Sequence, residues 1–394
     1  MPVELHEKYA PILHFARGER FYPMAAEDLL AYAALYRRGQ DQPLAAAGRV
    51  HPDHLDQLAA DDTFLRTVDA APLTGMDVAR TWSRDVLELV LAWARGSSAP
   101  AYDEGRAQRL YRWFSRTTRL ATRLFWWNQL FMSPAISLRR RGATVDLPRF
   151  RLPQEARDQA LERYEGSQRR GSGHTYYYRM ARQGDYLNLQ YWFLYAYNDW
   201  ATAFDGLNDH EGDWEGVQLF FRLEGGRPVE PPAYICYQGH SSRITKPWRH
   251  SDVMLSGDHP NVYVAAGSHA SYPEQKTYDL VRLYNLLDRA TGDGVTIKPN
   301  AWRQRINLDA APWVAAYQGA WGTRYWLAEG ALRELAGAVG ALAEAVLPGE
   351  IDLPGVSAPH GPRYSGIAAE RLTWTNALAF AGLAPDDEGA NARP

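Results

Sequence analysis

From Gly173 onward the period of the chain changes to two, which restricts this part of the molecule to extended structure. His174 to Tyr178 and the long aromatic run Tyr186 to Tyr197 read as strands, the second ending in Asn198-Asp199. Gly216 to Phe221, Pro232 to Gln238 and Asn261 to Ala266 follow, each bounded by turn residues. Short strands at such intervals argue for an antiparallel sandwich or barrel. The 14 Trp and 23 Tyr crowd the centre and the C-terminal part, and aromatic residues fit a pleated core. Tyr9 to Phe15 reads as one more short strand, closed by the turn residues Gly18-Glu19 and Tyr22-Pro23.

Between these strands the period is helical. Glu27 to Arg38, Thr81 to Arg95 (Val86, Leu89, Val90 and Trp93 on one face), Arg106 to Met132 and Gln154 to Tyr164 read as helices, punctuated by Pro100, Pro134 and Pro148. Tyr325 to Leu347, rich in Ala and Leu, reads as a helical insertion. The expected fold is therefore α+β: an antiparallel β-sandwich core with a large, mostly helical N-terminal region and a helical C-terminal insertion. The expected units are an N-terminal strand of the sandwich at 1–24, a helical region at 25–165, the core at 173–325, the insertion at 325–347 and a returning segment at 348–394.

One helix carries a charge pattern. Arg106, Arg109, Arg112, Arg116, Arg119 and Arg123 recur at spacings of three and four, and no acidic residue occurs from Arg106 to Val145. Such a stripe either lies on an anionic membrane or ligand, or pairs with acidic groups of the rest of the protein. Against nucleic acid as a partner stands a net charge of -3. No run of 18 apolar residues occurs, and the polar N-terminus lacks a basic start with an apolar core, so a cytoplasmic location is expected. The single cysteine, Cys236, excludes an intrachain disulfide; in its apolar run it is expected to be a buried, inert thiol.

Asn208-Asp209-His210-Glu211-Gly212-Asp213-Trp214-Glu215 leads into the strand that ends at Phe221. In an extended chain Asp213, Glu215, Val217, Leu219 and Phe221 share a face, with His210 at the loop end. Two carboxylates and an imidazole converging at a strand mouth can hold a divalent cation; the plainer reading is an acidic turn before a strand. His269, after Gly267 at the end of another strand, would complete the set, and Asp199 and Asp205 on the incoming loop would add oxygens. Hard carboxylates favour calcium, magnesium or manganese, and two histidines would also suit zinc or iron. His210-Glu211 does not extend to a zinc-peptidase helix motif, since Trp214 stands at its fifth position. No P-loop, dinucleotide fingerprint or nucleophile elbow occurs.

Lys8 to Phe15 with Glu19 to Pro23, His210 to Glu215, and Val262 to Tyr272 resemble the vacuolar protein sorting-associated protein 62 family, and Trp313 to Gly322 with Gly361-Pro362 fit its C-terminal part. More distantly, His210, Asp213 and Glu215 have the spacing of the G-H-R-H-D-W-E heptapeptide of the necrosis-inducing toxin family. That likeness implies a β-sandwich with a divalent cation at its mouth that assists recognition of a sphingolipid headgroup. By it, His210, Asp213 and Glu215 would be cation ligands, with Asp199 or Asp205 and His269 beside them. The chain differs from that family in having no secretion signal and no cysteine pair.

Three functions are compatible with such a site. The cation could bind an anionic or hydroxylated ligand such as a lipid headgroup or sugar, with the arginine stripe as a membrane contact. It could serve a metal-dependent enzyme, with Glu211 or Asp209 as base. Or it could only staple the loops.

Overall fold

The structure is a computed structural model that describes residues 4–37, 40–57, 62–69, 151–199, 209–239, 242–281, 286–323, 360–364 and 370–383. The helices expected at Thr81–Arg95 and Arg106–Met132, the arginine stripe, Asp205 and the insertion at 325–347 lie outside the described residues.

In chain order the strands are β1 (Ile12–Phe15), β2 (Ala34–Arg37), β3 (Thr63–Arg66), β4 (Thr175–Gln183), β5 (Tyr186–Asn198), β6 (His210–Glu224), β7 (Arg227–Pro228) and β8 (Tyr234–Gly239). There follow β9 (Ser242–Pro247), β10 (Leu255–Ser256), β11 (His259–Val264), β12 (Ser271–Tyr272), β13 (Lys276–Val281), β14 (Leu286–Ala290), β15 (Thr296–Ile297) and β16 (Gln304–Asn307). Among the described residues strands dominate and helices are few.

The long pair β5–β6 sets the architecture. Its register runs from Tyr186 opposite Arg222 to Asn198 opposite His210. Around it forms an open seven-stranded sheet in the order β16-β4-β5-β6-β8-β9, with β7 paired to β6. A five-stranded sheet, β10-β11-β1-β15 with β12 on β11, holds the N-terminal strand: β1 runs parallel to β11, Ile12 opposite Asn261 and Phe15 opposite Val264.

Side chains of both sheets share one apolar cluster. Leu13, Phe15, Val262, Val264 and Ile297 meet Tyr176, Tyr191, Phe193, Tyr195, Val217, Leu219, Phe221, Ile235 and Tyr237. Val217, Leu219 and Phe221 do share a face, as their spacing demands. At about 1.5–3 kcal/mol for each fully buried large apolar side chain, this interface is a principal source of stability.

The opposite face of the larger sheet is covered too. Trp192, Leu194, Tyr197 and Trp214 pack with Leu29 and Leu30, with Ala156, Ala160 and Tyr164, and with Val314, Tyr317 and Trp321. Phe220 and Cys236 pack under Ala377 and Ala381. Burial on both sides explains why β5 is apolar or aromatic over most of its length rather than cleanly alternating. Cys236 is buried, and burial pushes its thiol up to about 11.

The single helix expected over Glu27–Arg38 is a helix at Ala26–Leu30 followed by β2, which pairs with β3 from Ala34 opposite Arg66 to Arg37 opposite Thr63. Leu29, Leu30 and Ala33 suit a helical period, but Leu35 is buried against Leu65 in the hairpin, and tertiary pairing overrides local preference. The helix expected at Gln154–Tyr164 extends over Arg151–Gln168. None of the described helices is long and apolar enough to cross a membrane.

Candidate functional site

Gly212 divides the acidic stretch. It has φ 64 within β6, and a Cβ there would stand 2.5 Å from the Trp321 carbonyl oxygen. Only glycine meets both demands. On its two sides the side chains part company. Glu211 turns to the N-terminal region, while Asp213 turns to the loop between β11 and β12.

Glu211 is fully buried in a cradle of donors. Its Oε1 accepts from the Thr67 N–H at 2.6 Å, the Thr67 hydroxyl at 2.5 Å and the Val68 N–H at 2.7 Å. The Thr323 N–H donates to Oε2 at 3.0 Å. Burial pushes its carboxyl up, against the pull of these donors.

Asp213 Oδ2 accepts from His269 Nδ1 at 2.9 Å and from Asn198 Nδ2 at 3.2 Å. The other ring nitrogen of His269 stands 3.6 Å from Glu19 Oε1. Glu19 is held in turn by the N–H groups of Arg20 at 2.8 Å and Phe21 at 3.0 Å, on Oε1, and of Gly267 at 2.8 Å, on Oε2. The His269 ring lies flat on Tyr195, centroids 3.8 Å apart and planes 3° from parallel. With φ 55 it is the only non-glycine residue of positive φ among the described residues. Such a conformation persists where surrounding contacts over-determine it.

Burial alone would lower the His269 pKa, but the Glu19 charge and the hydrogen bond to Asp213 push it up to about 9. Glu19 feels burial upward, outweighed by the His269 charge and the surrounding donors, so its carboxyl lies below the ordinary range. The result is a buried carboxylate–imidazolium–carboxylate chain. Next to it, Ser268 and Tyr272 donate to Asp288 at 2.7 and 2.6 Å.

Glu215 is different. It lies on the Asp213 face, opposite Phe193, is half-buried, and makes no hydrogen bond or ion pair among the described residues. Burial and then the Asp213 carboxylate hold its pKa well above the usual range, with Arg371 pulling the other way.

The remaining candidates stand elsewhere. His210 Nδ1 is 2.8 Å from the Gly212 carbonyl oxygen. A carbonyl only accepts, so Nδ1 carries the proton and Nε2 is the acceptor. Asp199 faces Arg157 at 3.8 Å, and Asp209 lies in the field of the same guanidinium. Thus Asp213, Glu215 and His269 come together, while Glu211, Asp199 and Asp209 are directed to other partners. Among the described residues no group of three His, Cys, Asp or Glu side chains forms a ready metal-ligand set.

Sequence reasoning missed Glu19, Asn198, Tyr195 and Asp288 as parts of the site. Glu19 lies in a stretch that carried the family resemblance, and Asn198 closes the aromatic strand; these were the available signals. Nothing local marks Asp288.

No family model matches the chain, and no curated protein matches it. Among solved structures, necrosis and ethylene inducing protein 2 from the causal agent of cocoa's witches' broom disease superposes with a TM-score of 0.25 at 13% identity, over 36% of this chain and 57% of that one. The non-toxic protein HaNLP3 gives a TM-score of 0.24 at 15% identity, over 37% and 60%. NLPPya in complex with glucosamine gives 0.23 at 12% identity, over 36% and 57%. The chain therefore spans less than two thirds of the length of these neighbours. They are relatives of the more distant family named from the sequence, and the vacuolar protein sorting-associated protein 62 resemblance gains no support from them. Superpositions this partial leave the chemistry of the site to its own residues.

Proposed function

We propose that Asp213 and Glu215 hold a divalent cation through which the protein binds an anionic or hydroxylated ligand such as a sugar or lipid headgroup. One observation carries this reading: among the described residues no donor claims Asp213 Oδ1 or either Glu215 oxygen, on two carboxylates of one strand face. Neighbouring carboxylates repel and resist burial unless a proton or cation joins them. Hard oxygens of this kind suit calcium, magnesium or manganese.

His269 and Asn198 both bind Asp213 Oδ2, which leaves Oδ1 without a donor among the described residues. Hydrogen bonds to a ligand's far atom are the usual support of a metal site. His269 is in this reading a positioning residue, both of its nitrogens being engaged by carboxylates. When bound, the cation supplies an electrostatic anchor for ligand oxygens. Two sheets joined through one apolar cluster support the finer description as a β-sandwich with this site at one end. The enzymatic alternative is weakened because the expected base Glu211 is enclosed by donors and Asp209 lies beside Arg157.

Calorimetric titration with Ca²⁺, Mg²⁺ and Mn²⁺ tests the reading. Stoichiometric binding, lost in Glu215→Ala, is expected, followed by cation-dependent binding of a sugar or headgroup panel that a chelator abolishes. Cation binding with no ligand on the panel would favour the staple; no binding of any of the three, with unchanged melting, would overturn the cation site.

A further inference from the structure

The face of β5, β6 and β8 opposite to Glu215 carries a row of neutral amides. Gln190 on β5 stands directly opposite Gln218 on β6, which in turn stands opposite Cys236 on β8. Gln238, two residues beyond Cys236, shares its face, next to Gly216. A Cβ on Gly216 would meet Gln238 Nε2 at 3.0 Å, so the Gln238 side chain lies back over the glycine. The segment 370–383 crosses this face, with Thr373 above the row: Gln190 Nε2 donates to the Thr373 carbonyl oxygen at 2.7 Å.

Gln190 is satisfied, donating also to Asn188 Oδ1 at 2.7 Å and accepting from Trp192 Nε1 at 3.1 Å. Its neighbours are not. Gln218 Oε1, Gln218 Nε2, Gln238 Nε2 and Thr373 Oγ1 are buried without a partner. These residues are 0%, 8% and 4% exposed, respectively. A buried donor or acceptor left unmade carries its full desolvation cost, and native proteins fill such places with water or ligand.

We infer that this row, beneath the C-terminal segment, is a second binding site, for a small neutral polyhydroxylated molecule. The unclaimed atoms are a mixture of donors and acceptors, and a hydroxyl group serves as both. None of them is charged. Of the guanidiniums beside the row, Arg371 is engaged by the carbonyl oxygens of His360, Gly361 and Tyr364 and Arg179, opposite Gln190, by the Trp374 carbonyl oxygen, while Arg243, opposite Gln238, is exposed to solvent, so the buried middle of the row offers an ionic ligand no free counter-charge. Entry requires the segment to lift. It is tied to the sheet by separate contacts, among them Arg179 to the Trp374 carbonyl at 3.2 Å and Thr245 to the Ala381 carbonyl at 2.8 Å. Cys236 packs under Ala377 and Ala381, so its thiol reports the lifting.

The full chain is titrated with myo-inositol and, separately, methyl glucoside, following melting temperature and alkylation of Cys236 by iodoacetamide. At least one probe is expected to raise the melting temperature saturably and to slow alkylation several-fold. Gln218→Leu should abolish both effects while folding at least as stably as the parent, because it removes two unpaired atoms at nearly constant shape. Glu215→Gln should leave both effects in place, which separates this site from the cation site. Absence of a saturable shift with either probe, or a shift that survives Gln218→Leu, overturns the inference. In the first case ordered water joining Gln218, Gln238 and Thr373 in a crystal would identify the row as a hydration cluster only.

Discussion

Glu211 and Glu215 occupy the same strand four residues apart, and burial pushes the carboxyls of both upward, yet their surroundings are opposites. Around Glu211, three N–H groups and a hydroxyl from two distant segments converge on one carboxylate. Around Glu215 no donor comes forward among the described residues, and a second carboxylate stands two residues away. A carboxylate enclosed by the chain's own donors is a structural clasp, and one that no described donor reaches is, under the proposed function, a ligand for the cation. Gly212 makes the contrast, because its left-handed backbone turns Glu211 and Asp213 to different partners.

The contrast is broken most directly at the clasp. Glu211→Ala strands the buried donors of Thr67, Val68 and Thr323, and a loss of about 3–5 kcal/mol is expected, since each unmade buried bond costs roughly 1–3 kcal/mol. Urea unfolding would measure it. A variant as stable as the parent would mean that Glu211 is not what holds residues 67–68 to β6.

The next effect is the pH dependence contributed by His269, whose imidazolium joins the Glu19 and Asp213 carboxylates. Its folded pKa, about 9, exceeds the ordinary 6.5. The folded state therefore binds the proton more tightly, so the stabilisation is complete below pH 6.5 and is lost as pH rises through about 9. The gap corresponds to on the order of 3 kcal/mol. Unfolding free energy measured in chelator across that window should fall for the parent and stay nearly level for His269→Gln. Equal slopes in the two proteins would show that the ring carries no charge in the folded state.

Much of this was legible in the sequence where the signal is local. The aromatic run of β5, the strand after Asp213, the shared face of Val217, Leu219 and Phe221, and the turn at Gly267 all follow from spacing. The partners were not, because they come from far along the chain. Glu19 reaches His269 across 250 residues of sequence and Thr67 reaches Glu211 across 144, and no periodicity encodes such a meeting. The β2–β3 hairpin was hidden for the same reason: Leu35 reads as one more helical apolar residue until Leu65 is placed against it. Glu211, offered as a base, is turned to Thr67 and Thr323 by a single torsion at Gly212, since strict alternation would have kept it on the Asp213 side.

At Glu215 itself the expected effect is on binding rather than folding. Glu215→Gln replaces a carboxyl that no described donor binds, so melting in chelator should be unchanged or slightly higher, while affinity for Mn²⁺ should fall more than tenfold, or about 1.4 kcal/mol. Unchanged affinity with a lowered melting point would reverse the assignment and make Glu215 the structural member of the pair.

The smallest effect belongs to Asp199, which faces Arg157 across 3.8 Å at a partly exposed site. Exposed or part-exposed pairs at this separation contribute about 0–1 kcal/mol. Asp199→Asn should therefore shift stability by less than about 1 kcal/mol and leave Mn²⁺ affinity within about twofold. A large loss of affinity would mean that Asp199 leaves Arg157 when the cation arrives. The incoming loop would then belong to the ligand set, and Asp213 and Glu215 would not hold the cation alone.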